Sequence, residues 1–343
     1  MTKPMERIVL AFSEGLESAV AIPWLAERYG AEVVAVTIDL GQGRELEEVR
    51  DRALAAGAVR AHVLDARDEF ARGYIVRGLK AGATTTDGAP LGAALGVPLI
   101  ARLVVQIAGI EHATAIAHAA DGTALDVAAA LLNPALRVLA PARDWTMTPA
   151  QQAVYIRARQ IPFQPKPPSP SGTSVPADGG RRPAGAEVPG GNGGGRSEPA
   201  AVDVAFERGV PTGINGVAMP ILDLLESLGT IAAAHGVGQP KDRDLRQAPA
   251  AVVLHAAHRA LRASAAAPEL NRLCDVVGRE YADLVYRGLW FTAARDALDA
   301  FVNTANERIT GIVRLKLFAG GCEIVHVTEG PSAPKLVTIT TNG

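Results

Sequence analysis

Three short stretches carry residue types that could do chemistry. The first is "SEGLES", Ser13–Ser18, set between an apolar run, "RIVLAF", and a helix-like stretch. A strand, a polar turn and a helix in succession are where nucleotide-binding folds place a phosphate loop. Glycine suits such a loop because its missing Cβ lets backbone N–H groups approach the phosphates. Gly15 and the hydroxyls of Ser13 and Ser18 fit that chemistry, whereas Glu14 sets a carboxylate where an anion would sit. Two unit charges about 4 Å apart repel by about 1 kcal/mol in water and about 4 kcal/mol at an intermediate dielectric. The second stretch, "HAADGTALD", His118–Asp126, combines an imidazole, two carboxylates and a glycine. The third, "GQGREL", Gly41–Leu46, bears glycines, and Gln42 between them, without the G-x-G-x-x-G spacing of a dinucleotide site. His255 and His258 share a helix face, but no third ligand is near in sequence, so they read as packing rather than metal.

These loops need elements to hold them. Up to residue 163 the chain alternates strand and helix patterns. "RIVLAF", "AEVVAVTIDL", "RAHVLDA", "HATAIAHA" and "RVLAPA" read as strands. "LESAVAIPWLAERYG", "ELEEVRDRALAAGA", "DEFARGYIVRGLKAGA" and "PLIARLVVQIAG" read as helices, and "ALDVAAALL" as an alanine-rich one. Strands separated by helices imply crossovers and a doubly wound parallel α/β sheet. Ligands in such sheets sit beyond the carboxyl ends of the strands, where Ser13–Ser18, Asp39–Gly43 and His118–Asp126 fall. Residues 164–200 are proline, glycine and small polar residues with almost nothing to bury, and are expected to be disordered. Order returns in an α+β second domain. "PTGINGVAMP" carries the hairpin signal Asn215-Gly216, four helical patterns follow, the third running from "NRLC" to "RGLW", and "TGIVRLKLFAGGCEIVHVT" reads as a hairpin turning at Gly320-Gly321. The expected division is residues 1–163 (nucleotide-binding), 164–200 (disordered), 201–328 (synthetase or oligomerisation type) and 329–343 (flexible tail).

Bulk composition limits the function classes. The chain has 343 residues, 48% of them hydrophobic and 4% aromatic, with a formal net charge of −2, so nothing points to nucleic acid as a partner. Arg181-Arg182 are too few for a basic patch. The two cysteines, Cys274 and Cys322, make no disulfide framework. No signal peptide is visible, and "LGVPLIARLVVQIAGI" is too short and too interrupted to span a bilayer. A cytoplasmic protein without a membrane partner is the expectation.

The ordered set "VLAFSEGLESAVAIPWL", "GAEVVAVTIDLGQGRELEEVRDRAL", "VLDARDEFARGYI", "HGVGQ", "YADLVYRGLWFTAARDALDAF" and "ERITGIVRLKLFAGG" resembles the argininosuccinate synthase family. The resemblance is colinear from about Arg7 to Val327, broken by the Gly/Pro-rich segment. It implies an N-terminal domain of ATP-pyrophosphatase type (adenine nucleotide alpha hydrolase-like) and a C-terminal α+β synthetase domain. It also implies the family reaction, in which ATP drives the joining of citrulline to aspartate and leaves AMP and pyrophosphate. The citrulline ureido oxygen attacks the α-phosphate, and aspartate then displaces AMP.

The same resemblance maps the sites. For ATP it points to Ala11, Ser13, Glu14, Gly15, Ser18, Ala19, Ile38 and Ala119; for citrulline and aspartate to Ala89, Ala94, Asp121, Leu125, Asp126, Ala129 and Ser169. The family's phosphate loop, SGGLDTS, reads here as Ser13-Glu14-Gly15-Leu16-Glu17-Ser18-Ala19. Its HGxTGKGNDQVRFE segment keeps His118, Gly122 and Asp126, while the other substrate positions have become Asp121, Leu125 and Ala129. Its Y-x-L-G-T-S-L-A-R-P loop has Ala89, Ala94 and Val97 at the tyrosine, serine and arginine, and keeps Leu91, Gly92 and Pro98. Its KPYSIDEN becomes "KPPSPSGT", where Ser169 still matches the serine but the motif after it is gone. Holding an amino-acid carboxylate takes a donor such as Arg, Asn or a hydroxyl, which Leu125 and Ala129 lack.

Scaffold positions persist while ligand positions turn mostly to alanine, valine or leucine. The expectation is therefore a divergent homologue whose ligase activity is lost or strongly reduced, with no catalytic residue and no metal site assigned. ATP with Mg would be its cofactor only if the reaction persists. The alternative is an active synthase, or a related AMP-forming ligase with relocated ligands or a more apolar acceptor. A homo-oligomer is expected, but the chain ends at "SAPKLVTITTNG" where the family continues into an arm that holds its tetramer, which weighs against a tetramer here.

Overall fold

Arg7–Ala11 (β1), Glu32–Asp39 (β2), Arg60–Asp65 (β3), Ala115–His118 (β4) and Arg137–Leu139 (β5) form one all-parallel sheet, ordered β3-β2-β1-β4-β5. The computed structural model describes residues 6–13, 15–41, 46–85, 88–120, 122–163, 198–238 and 249–330. β1, β2 and β4 are buried almost throughout, which is why they read as continuous apolar runs rather than alternating ones. Helices Leu16–Tyr29, Leu46–Ala55, Gly96–Ile110 and Ala124–Leu132 link the strands. At the opposite edge from the loops, the buried Glu111 carboxylate gathers Arg7 and Arg60, and His62 at 2.7 Å.

Met1–Arg67, Gly96–Gly180 and Val285–Thr292 make up a first compact unit, which holds this sheet. The second unit takes Asp68–Leu95, Arg181–Leu284 and Ala293–Gly343. Its sheet is antiparallel, ordered β10-β9-β6-β7-β8 from Ala200–Glu207 (β6), Val210–Ile214 (β7), Val217–Ala218 (β8), Gly311–Phe318 (β9) and Gly321–Glu329 (β10). Val202, Val204, Val313, Leu315 and Leu317 turn to one face and pack with Leu224, Leu228, Leu254 and Leu261 of helices Ile221–Ala234 and Pro249–Ala265.

Some details depart from the sequence reading. Asn215 and Gly216 do form a tight turn, both with positive φ. The β9–β10 turn falls one residue earlier than read, at Ala319 (φ 49°) and Gly320 (φ 80°). The helix read from "NRLC" to "RGLW" runs Pro268–Tyr286 and stops before Gly288 (φ 72°). Helix Pro149–Ala158, opened by a Thr148–Gln151 capping box and Pro149, was not legible because its apolar residues make no clear stripe. Residues 164–197 and 331–343, which hold most of the expected disordered segment and tail, lie outside the described residues.

Candidate functional site

The site forms where the parallel sheet reverses direction, between β1 and β4. Ala11 and His118 are register partners at the carboxyl ends of these strands, so the loops after them leave side by side. After β1 the described part of the phosphate loop is held by its own serines. The Ser13 and Ser18 hydroxyls lie 2.8 Å apart, and the Gly15 N–H donates to Ser13 Oγ at 3.3 Å. Helix Leu16–Tyr29 starts at Gly15 with no side-chain cap. Its first N–H groups thus keep the character of an anion-binding terminus. Ala11, Ala19 and Ile38 are buried around the loop, and Ala119 is half-buried after β4. The cleft against the loop, between Phe12, Ala19, Val49 and Phe163, has interior room of ≈ 10 Å³, about one water.

His118 is buried, and its Nδ1 accepts the Ala120 N–H at 3.1 Å. That fixes the proton of the neutral ring on Nε2, which lies 3.2 Å from Asp126 Oδ2. Arg143, on the short helix Pro141–Asp144 after β5, brackets the same carboxylate at 2.5 and 3.2 Å and also reaches the Gly122 carbonyl. Burial pushes the Asp126 carboxyl up, but the bonds from His118 and Arg143 outweigh it and hold the pKa at about 2. The result is a fixed imidazole–carboxylate–guanidinium triad. The sequence reading found His118 and Asp126 and missed Arg143. The available signal was an arginine just past the carboxyl end of a strand read correctly as "RVLAPA".

Asp126 sits in the first turn of helix Ala124–Leu132, whose other candidate positions face inward: Leu125 is 4% and Ala129 1% exposed. The turn after helix Pro268–Tyr286 packs on this helix so closely that a Cβ on Gly288 would lie 2.0 Å from the Ala124 carbonyl oxygen. Trp290 beside it is buried.

Ala89 and Ala94 belong to the second unit. Ala89 is clamped by Thr85, whose hydroxyl accepts its N–H at 2.9 Å, and Ala94 lies in the 3₁₀ turn Gly92–Leu95. Glu14, Gln42, Asp121 and Ser169 lie outside the described residues. His258 packs in the second unit's core, where its Nε2 is 2.7 Å from Asn306 Oδ1, and burial pushes its pKa down to about 4. Among the described residues no group of three or more His, Cys, Asp or Glu gathers as metal ligands, and no helix is long and apolar enough to cross a membrane.

A five-strand parallel sheet whose strand order reverses between β1 and β4 is a doubly wound α/β fold, and the domain that carries it is of the HUP class. Residues 7–162 match the arginosuccinate synthase N-terminal HUP domain, and residues 193–333 the arginosuccinate synthase C-terminal domain. The argininosuccinate synthase of Dehalococcoides mccartyi (strain CBDB1) is 38% identical over 93% of this chain and 86% of its own. That of Rubrobacter xylanophilus is 38% identical over 96% and 86%, and that of Symbiobacterium thermophilum 39% over 94% and 88%. The chain belongs to the argininosuccinate synthase family, which joins citrulline to aspartate with ATP in arginine synthesis.

Proposed function

We propose that this chain keeps the family's frame and carries out the citrulline–aspartate ligation weakly or not at all. The observation that carries this reading is the state of helix Ala124–Leu132. Leu125 and Ala129 face the core and have no donor to offer a substrate carboxylate. Asp126, the one acidic residue of that helix, is engaged by His118 and Arg143. A bound aspartate would have to be held without these side chains, and a buried amino-acid carboxylate without charge-assisted partners is costly.

The nucleotide half is less altered. Ser13, Gly15 and Ser18 keep the residue types of a phosphate loop, and ATP with Mg would be its ligand if the reaction persists. Glu14 opposes it by like charge. That asymmetry favours one second reading: an AMP-forming ligase that still uses ATP on a more apolar acceptor.

Both readings meet one experiment. Pyrophosphate release is measured with ATP, citrulline and aspartate on wild type and on Glu14→Gly, with ATP binding followed by calorimetry. The expected result is release at least about a hundredfold below that of a relative such as the Symbiobacterium enzyme, the order set by losing about 3 kcal/mol of substrate contacts. A rate within a few-fold of that enzyme overturns the proposal. Tight ATP binding by wild type without turnover selects the second reading. Binding that appears only in Glu14→Gly assigns the closure of the loop to that carboxylate.

A further inference from the structure

The second unit carries a cleft of ≈ 200 Å³, and none of its lining residues comes from the positions discussed above. Arg72, Val76, Arg77 and Lys80 reach it from successive turns of the helix that includes the π-helical segment Ala71–Ile75. Asp299 and Asn303 come from helix Ala293–Asn306. Three cations therefore face one carboxylate, and that carboxylate is already shared. Asp299 takes Arg77 at 2.5 Å, Arg295 at 2.6 Å and the Tyr281 hydroxyl at 2.9 Å. Lys80 donates to the neutral Asn303 Oδ1 at 2.6 Å. Burial pushes the Lys80 ammonium pKa down; Asp299 opposes this, and the positive Arg208 and Arg77 add to it. Arg72 holds Asp68 in an exposed i,i+4 pair, a contact an incoming anion can displace at little cost. Arg295 also pairs with Asp296 at 2.8 Å, so with Arg72 on Asp68 and Arg77 on Asp299 the local excess is about one positive charge, that of Lys80 on its neutral partner.

The rest of the lining is apolar: Val210 and Val302 complete a valine wall with Val76. A bare inorganic ion would leave that wall facing water. A short carbon chain carrying carboxylates meets both surfaces, because guanidinium forks match carboxylates and the valines match the chain. At ≈ 200 Å³, about twenty times the room beside the phosphate loop, the cleft suits a polycarboxylate of about four to six carbons.

We propose that this cleft binds a small organic anion with two or more carboxylates. The test is calorimetric titration of citrate and succinate into the full chain at low ionic strength, with inorganic phosphate as the comparison. Lys80→Gln removes the charge and leaves a polar side chain one atom shorter. It is expected to weaken citrate binding about tenfold, the loss of one charge-assisted contact. Arg72→Gln, at an exposed position that leaves the core alone, is expected to weaken it by about threefold or more. Ser13→Ala, in the phosphate loop of the first unit, is expected to leave citrate affinity unchanged. The proposal is overturned if folded wild type does not saturate with either acid, if phosphate binds more tightly than both, or if both cleft variants bind like wild type. Citrate binding that is lost in Ser13→Ala overturns it too, by moving the site to the phosphate loop.

Discussion

Asp126 shows what a single residue contributes once its neighbours are fixed. Its folded pKa of about 2 lies below the ordinary value of 3.8. A depressed carboxyl stabilises the fold at every pH above the unfolded value and loses that contribution as pH falls through the folded one. At about 1.4 kcal/mol per pH unit the contribution is about 2 kcal/mol at neutral pH, and it drains away between about pH 4 and pH 2. Asp126→Asn should therefore lower unfolding free energy by about that amount at pH 7, with the gap to wild type closing by pH 2. Urea titrations at several pH values check this, and a gap that stays constant with pH would assign the effect to packing instead. The sequence showed His118 and Asp126 because they are close in the chain. It hid Arg143, seventeen residues on from Asp126, because only the pairing of β5 beside β4 brings that arginine back to the same sheet edge.

At the level of elements, the strands and helices were legible where burial makes the pattern simple. β1 and β2 are buried on both faces and read as unbroken apolar runs. β9 alternates in and out and reads with period two. Helix ends were less legible, since they depend on what the chain meets next. Gly30 and Gly288 follow helices and both have positive φ, yet they differ in surroundings. A Cβ on Gly30 meets nothing within 4 Å, while one on Gly288 would sit 2.0 Å from the Ala124 carbonyl oxygen. Gly30→Ala should cost about 1 kcal/mol, the left-handed strain alone. Gly288→Ala adds a backbone clash at the start of the helix that bears Asp126, and should cost at least about 3 kcal/mol. Equal shifts of the urea midpoint for the two variants would mean that the turn relaxes away from Ala124.

The molecule as a whole is threaded in a way that no linear division of the sequence conveys. Residues 68–95 cluster with the second unit and residues 285–292 with the first. The composition break at residue 164 marks a change of family domain but says nothing of these exchanges, because the segments involved carry no break in composition of their own. What the sequence does offer at this scale is the Gly/Pro-rich run, whose composition has almost no apolar surface to offset the entropy of ordering. Proteases need several residues of extended, accessible backbone, so a linker should be cut before any folded element. Trypsin has two productive sites there, after Arg181 and Arg196, since the Lys166 and Arg182 bonds precede proline. Brief digestion under native conditions should then give first fragments that end at Arg181 or Arg196. Arg157 lies within helix Pro149–Ala158 and should remain uncut at that stage. Intact-mass measurement of the earliest products decides the matter: first cleavage at Arg157, with 164–197 spared, would mean that the run is held in place despite its composition.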